Sequence, residues 1–158
     1  MKKWLALLCA LPLVTFAATP QKIVALGGDV TEIVYALGAG SSLVARDSTS
    51  QWPQAANALP DVGYLRQLNA EGILSMRPTL VLASAQAQPS LALKQVEESH
   101  VSVVTVPGSH DLSVIDEKVR VIAEATHREA QGDALRATLR QALAALPTSP
   151  LDKRLLDQ

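Results

Sequence analysis

Three short stretches of this sequence hold side chains able to do chemistry. Ser109-His110-Asp111 puts a hydroxyl, an imidazole and a carboxylate in a row, the residue types of a nucleophilic hydrolase. A catalytic triad is defined by convergence in space, and adjacent residues rarely meet at one reacting atom. The stretch therefore reads as a loop, with Ser109 or Asp111 capping a helix that follows. Gly27-Gly28 lets backbone approach a ligand closely, but it lacks the third spaced glycine of a nucleotide-binding turn, and a strand-to-helix turn accounts for it. Tyr64 follows Gly63 and stands two residues before Arg66, a phenol near a guanidinium in a loop before a helix. On composition alone the simpler reading of Tyr64 is a core tyrosine with a bonded hydroxyl. His100, His110 and His127 are too dispersed to form a metal site by spacing, and the single Cys9 cannot build a disulfide framework or a Cys-rich zinc site.

Composition narrows the field. With 14 Lys+Arg against 15 Asp+Glu the chain lacks the clustered positive charge that phosphate neutralisation needs, so no nucleic acid is expected as a partner. A hydrophobic share of 48% over 158 residues suits one domain with a core and excludes intrinsic disorder. Lys2 and Lys3, an apolar run from Trp4 to Phe16 and the small residues Ala17 and Ala18 read as a secretory signal peptide over residues 1–17. The run is interrupted by Pro12 and falls short of the roughly 20 residues that span a bilayer, so no stable membrane insertion is expected after its removal. Leu8 stands before Cys9 where a lipoprotein signal wants a small residue, which argues against lipid attachment there. Cleavage leaves 141 of the 158 residues, no cysteine, a formal charge of −3, and Tyr35, Trp52 and Tyr64 as the remaining aromatic residues.

These residues must be positioned by an alternating pattern. The apolar run 22–26 predicts a buried strand ending at the double glycine. Asp29 and Glu32 resemble a capping box for a helix carrying Val30, Ile33, Val34 and Leu37 at helical spacing, with Gly38 closing it. Further strands are predicted at 42–45, 80–83 and 101–106. Further helices are predicted at 70–76 behind Asn69, from Pro89 through Val96, at 111–125, and at 129–146 with Leu135, Leu139, Leu143 and Leu146 on one stripe. Strands alternating with helices in this order argue for an α/β fold, a parallel sheet with helices on both faces. Tyr35 reads as core, and Trp52, before Pro53, either covers the edge of a site or merely packs.

Four stretches carry a family resemblance: residues 27–38 (GGDVTEIVYALG), 44–50 (VARDSTS), 60–66 (PDVGYLR) and 69–83 (NAEGILSMRPTLVLA). Together they closely resemble the periplasmic haemin-binding proteins of bacterial ABC importers, within the siderophore and vitamin B12 type of substrate-binding proteins. The strand, loop and Asn-x-Glu-x-Ile segment marks the broad family, and the Gly-Tyr-x-Arg and Ala-Arg-Asp-Ser-Thr-Ser stretches point to haem. The resemblance implies two α/β lobes joined by one long helix, with ligand in the cleft between them. On that basis the chain divides into a signal peptide (1–17), an N-terminal lobe (18–128), an inter-lobe linking helix (129–146) and a tail (147–158) where a second lobe would begin.

The resemblance also assigns roles. Tyr64 becomes the axial ligand of the iron in haem b, carried as transported ligand, since a phenolate is a hard anionic oxygen donor suited to ferric iron. Arg66 stabilises that phenolate or pairs with a haem propionate. Arg46, Asp47, Ser48 and Thr49 fall on the cleft rim, although a solvated loop serves equally well for them. Glu71 occupies the position at which the family docks to arginines of the membrane permease, and it is equally an ordinary favourable acid near a helix N-terminus. The expected function is periplasmic haem binding and delivery to an ABC importer permease, without enzyme activity and impaired by the missing lobe. A ferric siderophore or cobalamin is the alternative cargo, and a small secreted hydrolase using Ser109 and His110 the alternative of another class.

Overall fold

The structure is a computed structural model that describes residues 19–108 and 111–146. The signal peptide expected at 1–17, Ser109, His110 and the tail at 147–158 lie outside the described residues. Four strands, β1 (Ile23–Leu26), β2 (Leu43–Arg46), β3 (Leu80–Ser84) and β4 (Ser102–Val106), form one sheet in the order β2-β1-β3-β4. All the pairings are parallel. The helices α1 (Gly28–Ala36), α2 (Ala70–Ser75), α3 (Leu91–Glu98), α4 (Ser113–Ala125) and α5 (Glu129–Ala145) cover both faces, as the alternating pattern implies.

Period-two alternation along the strands sorts the core into two layers. Ile23, Ala25, Leu80 and Leu82 face Val30 and Val34 of α1 and Val119 and Ile122 of α4. Val24, Leu26, Val81 and Ala83 face Ile73 of α2 and Leu93 and Val96 of α3. Each such side chain, fully removed from water, contributes about 1.5–3 kcal/mol. The central strands β1 and β3 are buried at every position. β4, the most strand-like run in the sequence, is an edge strand with Ser102 and Thr105 exposed.

Helix starts follow the sequence in part. The Asn69 side chain accepts from the Gly72 amide at 3.2 Å and caps α2 as expected. The expected capping box at Asp29 and Glu32 does not form, because α1 begins two residues earlier than that box requires, at Gly28 behind Gly27. Asp29 instead accepts from Lys118 of α4 at 2.6 Å and ties two helices together. Pro89 does not open α3; Ser90 does, accepting from the Leu93 amide at 3.2 Å. α4 begins at Ser113 with no side-chain cap, although Asp111 accepts from the Ser113 amide at 3.1 Å.

The junction of α4 and α5 fixes how closely these two helices cross. A Cβ built on Gly132 would stand 2.5 Å from the Cβ of Ala123, so this crossing requires a glycine. Around it Arg136 donates to Asp116 at 2.6 Å, and Arg140 approaches the other Asp116 oxygen at 2.8 Å, a charge contact rather than an aligned hydrogen bond. Arg120 pairs with Glu117 and Glu124 on the same surface. Leu135 and Leu139 pack against the core, whereas Leu146 is 58% exposed, so the apolar stripe of α5 is covered only in its first half.

The hydrogen bond from Arg136 holds the Asp116 carboxyl below its ordinary value, and that from Arg120 does the same for Glu117. A carboxylate depressed in the folded state stabilises it above the unfolded pKa, about 4, and loses that contribution as pH falls through the folded value. The urea midpoint is therefore expected to drop between pH 5 and pH 3, by less in Asp116→Asn than in the native protein. Equal acid sensitivity of the two would assign the effect to other carboxylates.

Candidate ligand-binding edge

In open parallel sheets ligands bind outside the carboxyl ends of the strands, at the point where strand order reverses. Here that point lies between β1 and β3, and the chain is built tightly around it. Gly27 ends β1 at φ 119°, and an added Cβ would meet the Ser84 side chain at 2.8 Å, so both conformation and crowding require glycine. The turn thus draws the ends of β1 and β3 together.

The segment after β2 is locked onto this turn by Asp47, which is wholly buried. Its Oδ1 accepts from the Gly27 amide at 2.9 Å and the Ser50 hydroxyl at 2.6 Å. Its Oδ2 accepts from the Thr49 amide at 3.1 Å and the Thr49 hydroxyl at 2.6 Å. Ser50 shares a further bond of 2.7 Å with Thr31. The segment taken from sequence as rim or solvated loop is therefore divided. Asp47 points inward as a structural clamp, and Thr49 is exposed beside it. Arg46 is also committed: its Nε donates to the Ala56 carbonyl at 2.9 Å, and its terminal nitrogen donates to the Asp47 carbonyl at 3.1 Å.

A short parallel pairing extends the sheet beyond β2 and carries Tyr64. Arg46 bridges Asp61, with the Arg46 amide donating to Pro60 at 3.0 Å and the Val62 amide to Arg46 at 2.9 Å. The Ser48 amide donates to Gly63 at 2.9 Å, which places Gly63 at the carboxyl end of this pairing and Tyr64 just past it. Tyr64 is 46% exposed and so is not the core tyrosine that composition favours, whereas Leu65 is buried against α2 and α3. Arg66, next in line, is exposed and has no ion-pair partner among the described residues. Sequence spacing thus becomes an alternation: a buried leucine anchors the loop, and the phenol and guanidinium on either side of it are presented outward.

Glu71 is exposed in the first turn of α2, behind the Asn69 cap. Trp52 is 66% exposed. It lines, with Pro53, Asp29, Lys118, Leu135 and Leu139, a groove of about 590 Å³ between α1, α4 and α5. Tyr64 and Arg66 do not border that groove. This groove and the side chain able to ligate iron are therefore at different places, and donor chemistry outranks volume in defining the candidate site. No cluster of His, Cys, Asp and Glu able to hold a metal ion occurs among the described residues. Sequence reasoning passed over Asp61 and Ser50, which secure the two loops; an aspartate two residues before a glycine is a turn signal that marks Asp61.

A parallel α/β layer with polar loops gathered at its carboxyl edge is the arrangement on which open α/β sheets bind ligands. The chain belongs to the periplasmic binding protein family, whose pattern matches residues 23–149. Its fold resembles that of a periplasmic haem-binding protein from Pseudomonas aeruginosa with a TM-score of 0.75 and 38% identity, covering 80% of this chain and 45% of that one. It is 33% identical over 124 residues to the ABC transporter substrate-binding lipoprotein YvrC of Bacillus subtilis, covering 77% of this chain and 39% of that protein. It is 34% identical over 103 residues to a vitamin B12-binding protein of Pectobacterium carotovorum, covering 65% of this chain and 37% of that protein. The chain therefore spans less than half the length of these relatives and corresponds to the N-terminal lobe of substrate-binding proteins. The family is one of transport proteins rather than enzymes, and no described helix is long and apolar enough to cross a membrane.

Proposed function

We propose that this protein is an exported, periplasmic haem-binding component of an ABC importer, taking ferric haem b as cargo through Tyr64 and Arg66. The observation that carries this reading is the outward phenol of Tyr64, held between a bonded Gly63 and a buried Leu65 and followed by an exposed Arg66 with no ion-pair partner among the described residues. A phenolate is a hard donor for ferric iron, and an exposed guanidinium can pair with a haem propionate. The likeness to a haem-binding protein at 38% identity supports this cargo, and the likeness to a vitamin B12-binding protein favours cobalamin as the second reading.

Haemin and cyanocobalamin titrated into the periplasmic protein separate the two. Haemin is expected to give a saturable Soret shift and cyanocobalamin no binding; the reverse would overturn the haem reading. The described residues supply one wall of a cleft, and small-molecule sites ordinarily enclose most of their ligand. Haemin affinity of this 158-residue chain by itself is accordingly expected to be lower than that of the Pseudomonas relative, measured in parallel.

Glu71 is the proposed contact to the permease, since an exposed carboxylate on a capped helix can meet a pair of arginines. Glu71→Ala is expected to bind haemin normally and to stimulate the permease ATPase less than the native protein. Equal stimulation would remove Glu71 from that role.

A further inference from the structure

Resting on the haem reading above, we propose that Asp61 is the positioning residue for Tyr64, its carboxylate pinning the loop that presents the phenol. Asp61 touches neither cargo nor iron in this account. Its Oδ1 accepts from the Gly63 amide at 2.8 Å and from the Ser48 hydroxyl at 3.0 Å, and its Oδ2 faces the Arg46 guanidinium at 3.4 Å. One side chain thus joins the Tyr64 loop to Arg46, the last residue of β2, and to Ser48 just beyond it.

The need for such a pin follows from Gly63. It sits at φ 106°, and a Cβ added there would meet nothing within 4 Å, so conformation rather than crowding selects glycine. A glycine with open space around it is the freest joint a chain can have. It immediately precedes the residue whose oxygen must be held in place, and misplacing a ligating atom by about 1 Å is costly. Asp61 closes that joint from the N-terminal side, as the burial of Leu65 and the hydrogen bond from the Gln67 amide to the Tyr64 carbonyl at 2.8 Å close it from the other. The side chain of Asp61 is itself 41% exposed, so replacing it leaves the two core layers untouched.

The test is a cycle of Asp61→Ala and Asp61→Asn, each made in the native and in the Tyr64→Phe background. It is read by haemin titration and by amide hydrogen exchange of the haem-free protein. Asn keeps the acceptor for Gly63 and Ser48, whereas Ala removes it. Asp61→Ala is expected to weaken haemin binding roughly tenfold in the native background and less than about twofold in Tyr64→Phe, with Asp61→Asn near native. The Gly63 amide is expected to exchange faster in Asp61→Ala than in Asp61→Asn. Unchanged affinity in Asp61→Ala, or equal weakening in both backgrounds, would overturn the proposal. If Tyr64→Phe alone leaves the haemin spectrum and affinity unchanged, the haem reading fails. The pin is then judged on exchange: faster exchange at Gly63 in Asp61→Ala upholds it, and no difference from Asp61→Asn refutes it.

Discussion

Tyr64→Phe is expected to lower haemin affinity on the order of a hundredfold and to abolish the visible charge-transfer absorption of a phenolate-ligated ferric haem. The substitution removes one oxygen and keeps the ring, so it leaves the buried Leu65 anchor untouched. Thermal unfolding should hardly change, because the Tyr64 ring is half exposed and no partner of its hydroxyl occurs among the described residues. The control is Tyr35, the other tyrosine of the chain. Tyr35 packs against the core and over Gly40, where an added Cβ would meet its ring at 2.4 Å. Tyr35→Phe should leave haemin binding intact, and a haemin spectrum sensitive to Tyr35 rather than Tyr64 would displace the assignment.

The largest effect on stability is expected at Asp47. Its carboxylate accepts four hydrogen bonds from Gly27, Thr49 and Ser50 at zero exposure. Hydrogen bonds to a charged group contribute about 1.5–3 kcal/mol each, and buried donors left without an acceptor add their own desolvation cost. These terms do not sum, since the loop can relax. Asp47→Ala is expected to cost about 3–5 kcal/mol in urea unfolding, a large share of the roughly 5–15 kcal/mol that stabilises a domain. Asp47→Asn should cost less, because one oxygen still accepts while the amide nitrogen faces donors. A loss below about 1 kcal/mol for Asp47→Ala would mean that the loop at 47–50 holds without its clamp.

The layer order was legible in sequence because β1 and β3 are continuous apolar runs bounded by glycine or proline, and the helices between them keep apolar residues at helical spacing. Helix starts were less so. Asp29 has the spacing of a capping residue, but a lysine 89 positions away in sequence claims it. The same limit applied at the ligand-binding edge. The Gly-Tyr-x-Arg stretch marked Tyr64 and Arg66 as chemically able. Whether Asp47 faced solvent or the interior depended on the Gly27 amide 20 residues upstream, a contact that no local pattern encodes. Arg46 likewise reads as cleft rim or solvated loop and is spent on Ala56 and Asp61.

The central claim, that Tyr64 presents a phenolate to ferric iron, is tested most directly by resonance Raman spectroscopy of the haemin complex, prepared with natural and with ring-deuterated tyrosine. The account predicts phenolate modes that shift on deuteration and vanish in Tyr64→Phe. A haemin complex without those modes, or one that keeps them in Tyr64→Phe, would contradict it.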